Sequence, residues 1–68
     1  MNSQANKTII NKQKIVEYLK NKGECKVADI GEYIGLSSAR TRVLLFELVD
    51  DGKVKIVGNG RSRRYLHV

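Results

Sequence analysis

The chain has 68 residues, which suits one small domain and leaves little room for a second. Its single cysteine excludes an intramolecular disulfide, and its single histidine, next to the C-terminal residue, argues against a metal site. No apolar run approaches the roughly 20 residues that span a bilayer, and the N-terminal segment lacks the layout of a secretory signal, so we expect a cytoplasmic protein without a membrane partner.

The net charge is the most informative property of the composition. Thirteen Lys and Arg residues against seven Asp and Glu give a formal charge of +6, and the pI is near 9.8. Residues 53–68 contain no acidic residue and five of the basic ones: Lys53, Lys55, Arg61, Arg63 and Arg64. A concentrated basic segment indicates a nucleic-acid partner, with simple solubility as the alternative.

The N-terminal part of the chain is predicted to form one amphipathic helix. Residues 1–7 are polar, and we expect them to be flexible. From Thr8 to Lys22 the apolar side chains recur with helical spacing, and Gly23 is placed to end the helix. The apolar side of this helix is predicted to hold Ile9, Ile15, Val16 and Leu19. The GECK connector that follows has room for a brief extended segment.

Two further helices are predicted on either side of a tight turn. The second is marked by three apolar residues at helical spacing, Val27, Ile30 and Ile34. Gly35 and Leu36 form the turn, with Leu36 in the core, and Ser37 is a good N-cap for the third helix. The DDG sequence closes that helix near Gly52. Its buried face is predicted to hold Thr41, Leu44, Leu45 and Leu48.

The periodicity then changes from 3.6 to 2, which predicts a β-hairpin. In KVKIV (53–57), Val54 and Ile56 should face inward and the lysines outward. GNGRS contains Asn-Gly, a hairpin signal because both residues tolerate positive φ, and RRYLHV (63–68) is the return strand. The predicted fold is α+β, with three helices followed by a two-stranded β-hairpin, in one domain over residues 8–68.

This order of elements resembles the winged helix-turn-helix family of DNA-binding domains over residues 15–68. The segment IGEYIGLSSARTRVLLFELVDDGKV resembles the family's turn, its recognition helix and the start of its wing. Gly31 takes the place of a small residue, often alanine, where the second helix packs against the third. LSSARTRVLLFELVDDGKV followed by GNGRSRRYLHV is also similar to C-terminal winged-helix modules of larger bacterial proteins, including AlbA/schlafen-type (RecG-helicase-related) ATP-binding regulators and Fic-type proteins.

The resemblance implies double-stranded DNA as the partner and a role in transcription regulation. The third helix would enter the major groove, and the hairpin wing would contact the minor groove or the backbone. The family's DNA-contacting positions correspond here to Ser37, Ser38, Arg40, Arg42, Arg61, Arg63 and Arg64. Lys53 and Lys55 face outward from the adjacent strand and extend this set. If all five basic residues of 53–68 met phosphates, log K would fall against log salt with a slope of roughly −4 to −5.

The residues leave alternatives open at several of these positions. Ser37 has capping as its alternative role, whereas Ser38 is free to offer its hydroxyl to a phosphate near the helix N-terminus. Arg40 and Arg42 lie about 160° apart around the helix. They either flank a DNA groove, with one of them able to read guanine, or form a solvated surface pair that Glu47 and Asp50 help to neutralise.

An apolar stripe runs along the outward face of the third helix and supports a different function. It consists of Ala39, Val43 and Phe46, at i, i+4 and i+7. Winged-helix proteins more often have polar residues at the last two positions. Methyl groups there contact thymine in some readers of DNA, but an exposed apolar stripe more often marks a protein contact. The alternative function is therefore a protein-interaction module that forms a homodimer or docks on a larger parent polypeptide.

No group of residues indicates catalysis. Asp29 and Glu32 lie three residues apart near a helix start, where carboxylates commonly stabilise the helix dipole. Cys25 has no histidine near it in sequence, and GNGRS lacks the strand-to-helix context of a nucleotide-binding loop. We expect no enzymatic activity, no cofactor and no metal.

Overall fold

Three helices precede a two-stranded antiparallel sheet, as the sequence predicts. The computed structural model describes the backbone of residues 3–68 and the side chains of residues 7–68. The elements are α1 (Ser3–Lys22), α2 (Val27–Ile34), α3 (Ser38–Asp50), β1 (Val54–Val57) and β2 (Arg64–His67). The helix α1 begins before the predicted Thr8. The predicted flexibility of residues 1–7 includes residues 1 and 2, which lie outside the described residues, and it stays a prediction.

Among the described side chains of α1, those that pack into the core lie in its C-terminal half. Ile15 and Leu19 are fully buried, but Ile9 is 55% exposed, so its predicted inward position is wrong. On an ideal helix, Ile9 lies about 100° from the midline between Ile15 and Leu19, at the rim of the buried face. The helix ends as predicted, because Gly23 has a φ of +81° and donates its N–H to the Leu19 carbonyl at 2.9 Å.

The turn between α2 and α3 is a tight hydrogen-bonded structure. Gly35 caps α2 in the left-handed region at φ +75°, and the Leu36 N–H donates to the Gly31 carbonyl at 2.9 Å. The Thr41 hydroxyl, buried in α3, donates to the Ser37 carbonyl at 2.8 Å. Gly31 is buried at this crossing, and a Cβ there would lie 2.9 Å from both the Leu36 carbonyl oxygen and Thr41 Oγ1. The two helices therefore approach more closely than an alanine would allow.

The core draws on every element and on the α1–α2 connector. The four residues predicted for the buried face of α3 are all buried, together with Ile15, Leu19, Cys25, Ile30, Val54 and Tyr65. Leu36 is half-buried against this cluster. Cys25 forms an isolated antiparallel bridge with Tyr65, with N···O distances of 3.0 and 2.8 Å. The connector therefore adds the brief extended segment that the sequence allowed, and it ties the start of α2 to β2.

The hairpin is present, but one of its inward residues is only partly buried. The register pairs Val54 with His67, Lys55 with Leu66, Ile56 with Tyr65, and Val57 with Arg64. Val54 is buried, whereas Ile56 is 36% exposed. The alternation places both on one face, but β1 is paired with β2 alone and forms the outer edge of the sheet. The prediction was therefore right about the face of Ile56 and wrong about its burial.

The connection between the strands differs from the predicted Asn-Gly turn. Asn59 is extended at φ −150°, and the positive φ values belong to the glycines on either side of it, Gly58 at +73° and Gly60 at +57°. A short 3-10 turn over Gly60–Ser62 follows. The loop closes on itself because the Ser62 N–H donates to the Asn59 carbonyl at 3.0 Å. The wing is thus a wider loop that displays its arginines, since a two-residue turn would place them in the strands.

Candidate nucleic-acid interface

The N-terminus of α3 separates the two serines predicted as DNA contacts. Ser37 is the N-cap, and its hydroxyl oxygen accepts a hydrogen bond from the Arg40 N–H at 3.2 Å. The capping role is therefore confirmed. Ser38 is exposed in the first turn of α3, and its hydroxyl makes no hydrogen bond within the described part of the chain. Ser38 is thus the serine whose hydroxyl remains available to a ligand.

The two arginines of α3 face different grooves. Arg42 lies on the side of the wing and lines one groove with Arg61 and Arg63. Arg40 lies on the opposite side and lines a groove with Lys7 and other residues of α1. The sequence analysis considered Arg40 and Arg42 together, as two sides of one helix. In the structure, each lines a separate groove with its own basic neighbours.

The groove between α2, α3 and the wing gathers the densest positive charge. We call it the wing groove; it is open, with a volume of about 500 Å³. Its lining includes four basic side chains, Lys26, Arg42, Arg61 and Arg63, above a floor that contains Tyr65. No Asp or Glu lines it within the described residues. A groove with this lining suits a chain of phosphates.

Lys26 is the residue of the wing groove that sequence reasoning missed. It is the N-cap residue of α2, and its side chain makes no capping hydrogen bond. Lys26 follows Cys25, whose bridge to Tyr65 brings the start of α2 beside the wing. The predicted extended segment in GECK could have indicated Lys26, because an extended segment there can pair with the hairpin and bring the next residue beside it.

The remaining predicted basic residues lie outside the wing groove. Lys53 lines a groove of about 730 Å³ that includes Lys12, Lys20 and His67. Lys55 and Arg64 share the opposite face of the hairpin from Val54, as the register and the alternation require. All are exposed. The basic residues of 53–68 therefore lie on three different surfaces of the domain.

The acidic residue nearest the middle of α3 forms an ion pair with α1 and not with the arginines. Glu47 forms an ion pair with Lys12 of α1 at 2.6 Å. Within the described residues, no carboxylate lies within ion-pairing distance of Arg40, Arg42, Arg61 or Arg63. Glu47 therefore does not neutralise the arginines near it in sequence. Their positive charge is available to a partner.

The apolar stripe on α3 is exposed as predicted. Val43 and Phe46 each expose 45% of their surface, and Ala39 is exposed at the same face. Phe46 lies one turn after Arg42, so the stripe adjoins the wing groove. Its role as a protein interface or as a DNA contact stays a prediction.

The surroundings of Cys25 disfavour a reactive thiolate. The residue is buried at 7% exposure, and its Sγ donates to the Gly23 carbonyl at 3.6 Å. Burial raises the pKa of its thiol, which keeps it protonated. Across the described residues, no cluster of His, Cys, Asp or Glu could hold a metal ion, and none of the helices there is long and apolar enough to cross a membrane.

Comparison with protein families identifies the group to which this architecture belongs. The model of the DIP2311-like transcriptional regulator C-terminal domain matches residues 8–68. The chain belongs to this family. No curated protein sequence matches the domain. The AlbA/schlafen or Fic type of parent protein stays a prediction.

Two solved structures are similar to this DIP2311-like domain. The DIP2311 protein of Corynebacterium diphtheriae is 30% identical with a TM-score of 0.80, over 90% of this chain and 11% of that one. The domain therefore spans about a tenth of the length of that protein. The Zα domain of PKZ from Carassius auratus, solved in complex with Z-DNA, is 20% identical with a TM-score of 0.82, over 90% and 97% of the two chains. This second likeness confirms the predicted winged-helix fold.

Proposed function

We propose that this DIP2311-like domain is a DNA-binding module of a bacterial transcriptional regulator, with α3 in a groove of the duplex and the wing on the backbone. The observation that carries the proposal is the wing groove, where basic side chains from α2, α3 and the wing converge without a carboxylate among the described lining residues. The proposed role is binding rather than catalysis, and it belongs in the cytoplasm, where bacterial DNA lies.

The first turn of α3 and the wing supply complementary contacts. Ser38 offers a free hydroxyl at the helix N-terminus, a common phosphate contact. Arg42 reaches a phosphate on the wing side or a guanine edge through its two donors. Arg61 and Arg63 extend from a loop that is held by its own hydrogen bonds, and they fit the backbone or a narrow minor groove.

The distribution of charge changes the expected salt dependence. The four basic residues of the wing groove are the ones placed to share one stretch of backbone. Each neutralised phosphate contributes about −0.9 to the slope of log K against log salt, so we expect a slope of roughly −3 to −4. Arg40 adds one contact if the duplex also reaches the groove beside α1. Lys53, Lys55 and Arg64 lie on other surfaces and should contribute little.

A binding titration with a matched control tests this proposal. Fluorescence anisotropy would measure the affinity of the full chain for a mixed-sequence duplex over a range of salt concentrations. Arg61→Ala with Arg63→Ala should weaken binding roughly tenfold at low salt and reduce the slope by about two. Lys14→Ala with Lys20→Ala removes the same charge from exposed positions on α1. Equal effects of the two double variants would show that the wing has no special role.

The form of the nucleic acid is a second variable in this titration. The Zα domain was solved in complex with Z-DNA, and contacts to phosphates respond to the shape of the backbone more than to its sequence. An alternating CG duplex held in the left-handed form therefore belongs beside the mixed-sequence duplex. A structured RNA hairpin is the third probe, since the phosphate attraction is shared. Tighter binding to RNA than to either duplex would contradict the proposal.

The exposed stripe on α3 supports a protein interface as a second candidate function. Val43 and Phe46 are each 45% exposed, and the domain spans 11% of the Corynebacterium protein, which leaves a parent polypeptide as a source of partners. Phe46→Glu should shift sedimentation toward monomer while the helical circular dichroism stays unchanged. A wild-type chain that is already monomeric at high concentration would remove the homodimer. Both functions can coexist, because a dimer through α3 still presents the wing.

A further inference from the structure

We propose that Lys26 binds a backbone phosphate of the DNA and makes the start of α2 the third wall of the interface. The inference rests on the proposed DNA-binding function and adds to it a residue outside the recognition helix and the wing. Lys26 lines the wing groove with Arg42, Arg61 and Arg63. A phosphodiester that enters the groove thus meets basic groups on both sides.

The backbone geometry holds Lys26 in this position. Cys25 and Tyr65 exchange two hydrogen bonds, at 3.0 and 2.8 Å, immediately before Lys26. Tyr65 is 1% exposed and forms part of the groove floor. The distance between the start of α2 and the wing is therefore set by paired backbone, and it does not depend on a flexible connector. Preorganised contacts of this kind lose less entropy on binding.

The Lys26 side chain has no competing structural role. It is exposed, makes no capping hydrogen bond to α2, and has no ion-pair partner among the described residues. A lysine with no partner, in a groove of like charges, increases repulsion in the free protein. That repulsion is relieved when an anion is bound, so the cluster favours the bound state. Phosphate is the anion that the proposed duplex supplies.

A single substitution with two controls tests the role of Lys26. Lys26→Ala should weaken duplex binding about threefold at low salt and reduce the salt slope by about one. Lys26→Arg keeps the charge and should retain most of the affinity. Lys22→Ala removes one charge from an exposed position at the end of α1 that does not line the groove. Equal losses for Lys26→Ala and Lys22→Ala would overturn the inference.

A double variant tests whether Lys26 and the wing hold the same phosphate. If they do, Lys26→Ala with Arg61→Ala should lose less affinity than the product of the two single losses. An effect of the wing variants with none at Lys26 would refute the role of α2 and leave DNA binding intact. No effect at either place would refute both proposals.

Inorganic phosphate distinguishes a backbone contact from a site for a free anion. In an NMR titration of the full chain, the duplex should shift the amide signals of residues 26–28 and 60–63 together. Inorganic phosphate at the same total phosphate concentration should leave them nearly unchanged. Equal shifts with both ligands would show a small-anion site and overturn the inference.

Discussion

The close crossing of α2 and α3 predicts that Gly31→Ala destabilises the domain, against the usual effect of alanine in a helix. In a helix interior, alanine is favoured over glycine by about 1 kcal/mol. Here the new Cβ would lie 2.9 Å from the Leu36 carbonyl oxygen and 2.9 Å from Thr41 Oγ1, where ordinary contacts begin at 3.4 Å. Two neighbouring groups must therefore move by about half an ångström for one methyl group.

Neither neighbour can move without loss. Leu36 is in the turn, and its N–H donates to the Gly31 carbonyl at 2.9 Å. The Thr41 hydroxyl donates to the Ser37 carbonyl at 2.8 Å. Overpacking of a well-packed site costs about 1 to 3 kcal/mol. After the gain in helix propensity, we expect a net loss of up to about 2 kcal/mol, a large part of the roughly 3 to 10 kcal/mol available to a domain of this size.

Urea unfolding followed by circular dichroism measures this loss directly. Gly31→Ala should lower the midpoint without a change in the m-value. Thr41→Ala removes one of the two close contacts, so Gly31→Ala should cost less in that background than in the wild type. A Gly31→Ala variant as stable as the wild type would refute the reasoning, and an unchanged cost in the Thr41→Ala background would refute the part played by Thr41.

Three further predictions concern the wing, the salt dependence and the buried thiol. Gly58→Ala should disorder the wing loop and weaken DNA binding while the helices persist. The reason is that the φ of Gly58 is +73° and a Cβ there would lie 2.6 Å from the Ser62 carbonyl oxygen. Amide NMR signals of the loop and anisotropy check this, and unchanged spectra would contradict it. The slope of log K against log salt for the wild type should lie between about −3 and −4; a slope near zero would exclude binding through phosphates. Burial raises the pKa of Cys25 above its ordinary value of 9.0, so the unfolded chain ionises first, and the free energy of unfolding should fall as pH rises above about 9. Cys25→Ala should lose part of that decline, as urea titrations at several pH values would show, and identical pH profiles would rule out the contribution of the thiol.

Much of the fold followed from local signals in the sequence. The stops and caps at Gly23 and Ser37 were predictable because both rest on backbone geometry within one turn of the helix. The buried face of α3 followed from periodicity. The burial of Ile9 and Ile56 was overestimated, because apolar spacing continues along elements that extend past the core.

The hairpin turn shows where local signals stop being sufficient. Asn-Gly correctly indicated a reversal of the chain. The actual loop places positive φ on Gly58 and Gly60 and keeps Asn59 extended. Its shape depends on where pairing between β1 and β2 ends, and that position is set by the packing of Val54 and Tyr65 in the core. A dipeptide preference carries no information about that packing.

The sequence by itself predicted three features of the candidate site: a net positive charge, a capped third helix and arginines in a wing. The sequence could not predict which of these charges lie in the same groove. Arg42 shares a groove with Arg61, Arg63 and Lys26, while Arg40 faces α1. Lys26 joins the set because a backbone bridge between Cys25 and Tyr65 spans 40 positions of sequence. Charge and helix propensity are properties of single residues and their near neighbours, whereas a groove is made by elements that meet only after the core has formed.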